Sequence, residues 1–169
     1  MITFGGVGNF DDGQGAHNYD FAYDGQSGES FADILALPDI DFGTVHLYTN
    51  TESGNNDGPA YGMQWLKDHN DAAVKAGKPV IVEELGVNRT DPDLSQSAAL
   101  KQYEDYMSSG DAQAFQGGML WSCDISAGQP GQPACPNPYD PYALCTGTED
   151  FADLVSDFAG RMSVKAKPE

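Results

Sequence analysis

The seven residues Val80-Ile81-Val82-Glu83-Glu84-Leu85-Gly86 constrain the fold more than any other stretch of the chain. A run of branched apolar residues bounded by Pro79 and Gly86 reads as a strand covered on both faces, the kind found in parallel α/β sheets. It ends on two adjacent carboxylates. Two further strand-like segments also end on side chains with chemistry of their own, Thr44-Val45-His46-Leu47-Tyr48 and Gly118-Met119-Leu120-Trp121. Packing explains one such strand; three point to a shared site.

The chain alternates strand and helix. Strands are predicted at 2–6, 43–49, 79–85 and 117–123. Met63, Leu66, Ala73 and Ala76 mark a helix entered through Asp57-Gly58-Pro59 and closed by Gly77, which are ordinary start and stop signals. Asp91-Pro92 opens the next helix, which ends near Ser109 and Gly110, and Phe151, Leu154, Val155, Phe158 and Met162 line one face of the last. A short helix is expected at 30–37. Strands spaced roughly forty residues apart with helices between them imply a parallel α/β architecture. Four such units are half of an eightfold barrel, which takes about 250 residues. The 169 residues read as a single domain, 1–169, with a Pro- and Cys-rich loop at 124–147.

The formal charge of −18 and a pI near 4.1 exclude a nucleic-acid partner, because phosphates are held by Lys and Arg. No run approaches 18 apolar residues, so no membrane span is expected. Residues 1–6 lack a basic start followed by an apolar core, so no leader peptide is expected there. The three cysteines, Cys123, Cys135 and Cys145, lack zinc-ligand spacing, and no metal or cofactor is expected. A disulfide within the loop, most simply Cys135–Cys145, implies an oxidising compartment and leaves one thiol over.

Side chains alternate along a strand. Strict alternation puts Val82 and Glu84 on one face and turns Glu83 to the other; His46 and Tyr48 share a face, as do Met119 and Trp121. If these faces line a common interior, Glu84, Tyr48, His46 and Trp121 meet at one mouth. The set suits glycoside hydrolysis: a carboxylate attacks the anomeric carbon, Tyr and His tune and orient it, and Trp offers a platform for a sugar ring. Each residue alone is more commonly structural, and only their shared position at strand ends favours a site.

The residues then resemble a known family. The runs Asp39-Ile40-Asp41-Phe42-Gly43-Thr44-Val45-His46-Leu47-Tyr48, Gln64-Trp65-Leu66-Lys67-Asp68-His69, Gly77-Lys78-Pro79-Val80-Ile81-Val82-Glu83-Glu84-Leu85-Gly86 and Gly117-Gly118-Met119-Leu120-Trp121 are similar to strand six, its following helix, strand seven and strand eight of the secreted endo-β-1,4-mannanases of glycoside hydrolase family 5. The resemblance implies a partial (β/α)8 barrel, roughly strands five to eight with their helices. It makes Glu84 the nucleophile of a retaining double displacement, although Leu85 stands where an aromatic residue is common. His46, Tyr48 and Trp121 become substrate-binding residues and Glu83 a supporting carboxylate. It further implies an extracellular enzyme acting on mannan, galactomannan or glucomannan, with β-1,4-glucan as the alternative substrate.

The departure from the family pattern is as informative. Retention needs a second carboxylate about 5–5.5 Å from the first, which the family carries in an Asn-Glu pair ending strand four. This chain contains no Asn-Glu dipeptide, so the acid/base is absent from it. Glu29, Glu52, Glu104 and Glu149 fall in loops or helices, and only Asp124 follows a strand closely enough to be a local proton donor. Two rival readings stand beside the enzyme: a non-catalytic polysaccharide-binding fragment, and a subunit that completes a barrel with a separate N-terminal half or a second copy through exposed strand edges.

Weaker signals have local explanations. Gly5-Gly6-Val7-Gly8 lacks the dinucleotide spacing, and the Asp- and Gly-rich stretch 11–24 matches no calcium loop. Asn88-Arg89-Thr90 is a glycosylation sequon. Tyr19, Tyr23, Tyr61, Tyr139 and Tyr142 are loop tyrosines, placed either along sugar subsites or in local packing.

Overall fold

The computed structural model describes residues 1–11, 21–49, 58–91, 93–124, 139–146 and 149–165. Its elements in chain order are α1 (Phe31–Ala36), β1 (Gly43–Thr49), α2 (Pro59–Ala76), β2 (Val80–Val87), α3 (Gln96–Ser108), β3 (Phe115–Leu120), β4 (Cys123–Asp124), β5 (Leu144–Cys145), α4 (Glu149–Ala152), a π-helical turn (Asp153–Asp157) and α5 (Phe158–Lys165). Strands β1, β2 and β3 form a parallel sheet in that order, and β4 pairs with β5 in a second, two-stranded parallel ladder. The helices cover one face of the larger sheet. Val45, Leu47, Val82, Leu85, Val87 and Phe115 meet Trp65, Leu66, Leu100, Tyr103 and Phe158 there in one core.

The segment predicted as the first strand, 2–6, forms no strand. It lies alongside β1, but only the Ile2 and Val7 carbonyls accept backbone N–H groups, from Asp41 at 2.8 Å and His46 at 2.9 Å. Between them threonine hydroxyls replace the ladder, with Thr44 Oγ1 donating to the Phe4 carbonyl at 2.6 Å and Thr3 Oγ1 to Phe42 at 2.7 Å. Gly8 ends the segment at φ 98°; a Cβ there would sit 2.8 Å from His69 Nε2 and 2.9 Å from Val45 Cγ1, so only glycine fits.

Helix α2 has the predicted ends, with Pro at its first turn and Gly77 in the left-handed conformation at its close. Its buried stripe runs Gly62, Trp65, Leu66, His69, Asn70 and Ala73. His69 was not singled out from the sequence. It is fully buried, its Nδ1 and Nε2 each 2.7 Å from a carbonyl, of Trp65 and Gly8 respectively, and burial pushes its imidazole down to about 4. It therefore ties the N-terminal segment to α2 and takes no part in the site.

Helix α3 begins four residues later than the Asp91-Pro92 signal suggests. Asp91 instead organises a turn, its Oδ1 accepting the Asp93 N–H at 3.0 Å and its carbonyl the Leu94 N–H at 3.3 Å. Local side-chain bonding of this kind competes with helix initiation. The last helix is interrupted by the π turn. Leu154, Phe158 and Met162 are buried as expected, whereas Val155 is exposed, because a π turn carries more residues per turn and shifts the apolar stripe.

Helix α3 also buries a carboxylate. Glu104 is 1% exposed, and the Arg161 guanidinium beside it, at 3.8 Å, is closer to Asp105 at 2.7 Å and Asp157 at 2.9 Å. Burial outweighs the two nearby cations and pushes the Glu104 carboxyl up to about 8. The folded state thus holds this proton more tightly than the unfolded one. The stability it provides is complete below the ordinary carboxylate range and is lost as pH rises through about 8. Urea midpoints between pH 5 and pH 9 are expected to fall in the wild type by more than in Glu104→Gln, which is the more stable of the two at pH 9.

Candidate active site

The site lies on the C-terminal halves of β1 and β2. A register shift sits between Val45 and His46 on one strand and between Val82 and Glu84 on the other, pairing Val45 with Val82 but His46 with Glu84. A second shift separates Val82 from Leu85 against β3. The bulge breaks strict alternation. Val82 and Leu85, three residues apart, both point into the helix-covered core at 0% and 1% exposure, and Glu84 turns to the opposite face beside His46. The expectation that Val82 and Glu84 share a face, with Glu83 turned away, is therefore incorrect. The bulge also brings Glu83 to the same imidazole. His46 Nε2 lies 3.5 Å from Glu83 Oε2, and His46 Nδ1 lies 3.3 Å from Glu84 Oε2.

Tyr48 completes the cluster by donating its hydroxyl to Glu84 Oε2. Its phenol is held well above the ordinary tyrosine range, first by burial and then by the hydrogen bond to Glu84 and the negative groups around it. Tyr48 is thus a neutral donor across the working pH range. Gly86 makes room for it. A Cβ at that position would lie 2.8 Å from the Tyr48 ring and 3.1 Å from the Trp121 carbonyl oxygen, so β1, β2 and the chain after β3 converge over one glycine.

Trp121 lies just beyond β3 rather than within it, its N–H bonded to the Leu85 carbonyl at 2.9 Å. The Trp121–Ser122 peptide is cis. The indole is 46% exposed and packs against no other aromatic ring among the described residues. Its backbone is placed beside the Glu84 strand, and its ring faces solvent as a platform would.

Of the local alternatives for a proton donor, Glu29 and Glu104 are committed elsewhere. Glu29 Oε1 and Oε2 accept the Gly8 and Asn9 N–H groups at 3.0 and 3.2 Å, Glu104 is buried under α5, and Asp124 lies in β4 with its carbonyl bonded to Thr146 at 2.8 Å. Glu52, Cys135, Tyr19 and the Glu149 side chain lie outside the described residues. Among the described residues no group of His, Cys, Asp and Glu side chains is arranged to hold a metal ion, and no helix is long and apolar enough to cross a membrane.

Tyr139 and Tyr142 are expected along sugar subsites or in local packing, and Asp140 carries no expectation; segment 139–146 folds against the strands that carry the site. Tyr142 meets the Tyr48 ring edge-on, with centroids 5.0 Å apart and planes at 69°. Ser122 Oγ donates to Asp140 Oδ2, and Arg89 Nη1 donates to the Asp140 carbonyl at 2.9 Å. No local signal marks these residues, because they reach the site across some fifty residues of chain in the case of Arg89 and Asp140.

No family model matches the chain. A probable mannan endo-1,4-β-mannosidase A-2 of Aspergillus terreus is 33% identical over 162 residues, 93% of this chain and 35% of that protein. Among solved structures, an endo-1,4-β-mannanase from Rhizomucor miehei superposes with a TM-score of 0.67 at 32% identity, covering 97% of this chain and 41% of that one. An endo-β-1,4-mannanase from Thermotoga petrophila superposes with a TM-score of 0.77 over 100% of this chain and 37% of that one. At 24% identity the latter likeness concerns the fold. The chain spans about a third of the length of the curated relatives it matches.

Proposed function

The chain belongs to the endo-β-1,4-mannanases of glycoside hydrolase family 5 and corresponds to part of their barrel, and from that premise we propose that it carries the nucleophile side of a retaining mannanase site. The observation that carries this reading is the convergence of Tyr48 and His46 on a single oxygen of Glu84. Both reach Oε2, which leaves Oε1 to attack the anomeric carbon. The carboxylate forms a C–O bond to that carbon as the glycosidic C–O bond breaks, and the departing sugar oxygen takes its proton from a separate acid. Tyr48 keeps Oε2 hydrogen-bonded throughout and so fixes the carboxylate plane. His46, lying between Glu83 and Glu84, holds both carboxylates in place.

The substrate class is a β-1,4-mannan, with galactomannan and glucomannan included and β-1,4-glucan as the alternative; Trp121 supplies the stacking platform. A Cys135–Cys145 bridge and an extracellular setting belong to the same proposal, supported by Cys145 being disulfide-bonded while Cys123 is a free, exposed thiol. The larger sheet ends at β3 among the described residues, and an apolar groove of about 420 Å³ lies between that strand and the last helical segment, lined by Gly118, Leu120, Leu154, Phe158 and Met162. This favours the further reading that the acid/base arrives on other barrel strands that cover this edge.

The test separates nucleophile from acid. A 2,4-dinitrophenolate leaving group departs from a glycoside without protonation. The chain is expected to form a covalent adduct with a 2-deoxy-2-fluoro-β-mannosyl derivative of that kind. The adduct should appear by mass spectrometry on the peptide containing Glu84, while unactivated mannan is turned over only very slowly. Labelling on another residue, or none at all, would overturn the assignment.

A further inference from the structure

The Glu84 nucleophile is oriented by Tyr48, and the fold contains a separate device that orients Tyr48. The Tyr48 ring lies against Gly86, where even a methyl group would come within 2.8 Å of it. Tyr142 closes on the ring edge-on, so the phenol is boxed between a strand backbone and a second aromatic ring. Tyr142 is itself pinned on both sides. Its N–H donates to Asp140 Oδ1 at 2.9 Å, and its carbonyl accepts Gln96 Nε2 at 3.0 Å. Gln96 Nε2 also bonds the Val87 carbonyl at 2.9 Å, tying the start of α3 and the end of β2 to the same point.

Asp140 carries the rest of the load. Its second oxygen is bound by Ser122 between β3 and β4, its carbonyl by Arg89 Nη1 after β2, and the next carbonyl, of Pro141, accepts the Arg89 N–H at 2.9 Å. The Leu144 N–H bonds the Ser122 carbonyl at 2.7 Å. A short loop held by this many bonds to three different elements is a rigid mount. Its one aromatic side chain in contact with the site meets the residue that hydrogen-bonds the nucleophile. Edge-to-face pairs favour one ring geometry over others, and a catalytic hydrogen bond tolerates little misplacement.

We propose that Tyr142 is a positioning residue for Glu84, acting through Tyr48, and that the Asp140–Ser122–Arg89 clip sets its place. The inference rests on the glycosidase reading for its purpose but not for its geometry. The phenol that Tyr142 helps to bury keeps its proton to unusually high pH, which provides a readout independent of turnover.

The experiment compares the full chain with Tyr142→Ala, Tyr142→Phe and Asp140→Asn. Three readings are taken: tyrosinate absorbance against pH, with Tyr48→Phe assigning the Tyr48 step; the ¹³C carboxyl resonance of Glu84, assigned with Glu84→Gln; and dinitrophenolate release from an activated β-mannoside. In Tyr142→Ala the Tyr48 ionisation is expected to move down toward the ordinary phenol range and the Glu84 resonance to shift. Release should slow by about tenfold, the rate equivalent of the upper end for an aromatic pair. Tyr142→Phe retains the Glu84 resonance and the release rate and lowers the Tyr48 ionisation only through its lost hydroxyl, and Asp140→Asn moves the resonance and the rate in the same direction as Ala, its Tyr48 ionisation falling in any case because Asp140 is one of the negative groups that raise it. If Tyr142→Ala does not fold, Tyr142→Leu and Asp140→Asn decide by the same readings. A folded Ala or Leu variant that melts earlier yet leaves the Tyr48 titration and the Glu84 resonance unchanged would reduce Tyr142 to packing and overturn the proposal, as would a Phe variant as impaired as the Ala variant. Absence of dinitrophenolate release from the wild type overturns the glycosidase reading alone, and the two spectroscopic readings still decide the role of Tyr142.

Discussion

Glu84→Gln is expected to reduce dinitrophenolate release from an activated β-mannoside by more than about 10³-fold, the scale on which removal of a covalent nucleophile is felt. The substitution keeps the shape of the side chain and a hydrogen-bond acceptor for Tyr48, so the fold and the Tyr48 contact survive while the attacking anion does not. Glu83→Gln is the discriminating control. Glu83 reaches the same imidazole, at 3.5 Å from His46 Nε2, but makes no bond to Tyr48, which donates to Glu84. Its loss is expected to slow release far less. If the two variants were equally impaired, the nucleophile would not be distinguished from its neighbour and the assignment would have to be reversed or shared.

Gly62→Ala is expected to destabilise the chain by about 2–3 kcal/mol, the upper part of the 1–3 kcal/mol typical of forcing atoms into a filled core. The sign is the opposite of what helix propensity predicts, since alanine in a helix interior is favoured over glycine by about 1 kcal/mol. The reason lies in Tyr103, a fully buried residue of α3 whose ring covers Gly62 of α2. A Cβ at Gly62 would lie 2.4 Å from the Tyr103 hydroxyl oxygen and 2.5 Å from its Cζ. The ring has nowhere to retreat, because its hydroxyl is hydrogen-bonded to Thr49 Oγ1 at 2.7 Å. Thermal denaturation reads this as a fall in Tm of roughly 5–10 °C for a chain of this size. A rise in Tm would mean that α2 and α3 do not meet through this contact. Because Thr49 ends β1, the same contact links the helix layer to the strand that carries His46 and Tyr48.

Much of this architecture is legible in local pattern. The apolar run 80–82, the stripe on α2 and the Pro59 and Gly77 ends of that helix all follow from backbone preferences and burial within a few residues of each other. The departures occur where distant chain intervenes. Residues 2–6 have strand-like composition, yet threonine hydroxyls and a single glycine at Gly8 replace the ladder. Asp91 looks like a helix start, yet its side chain closes a turn first. The last helix has a clean apolar stripe on paper, and the π turn rotates Val155 out of it.

The sequence alone determined the parallel α/β class, the placing of Glu84, His46 and Tyr48 on strands, and the absence of an Asn-Glu pair. All of these depend on residue type and spacing along one stretch of chain. Only the tertiary structure decided which way the carboxylates face. A period of two assigns Glu84 to the face of Val82, and the bulge imposed by pairing with β1 and β3 moves it to the face of His46 and brings Glu83 with it. Tyr142 likewise acquires a role only when its hydrogen bonds to Asp140 and from Gln96 hold it against Tyr48. Register and loop docking are properties of neighbours far away in sequence, and no local periodicity encodes them.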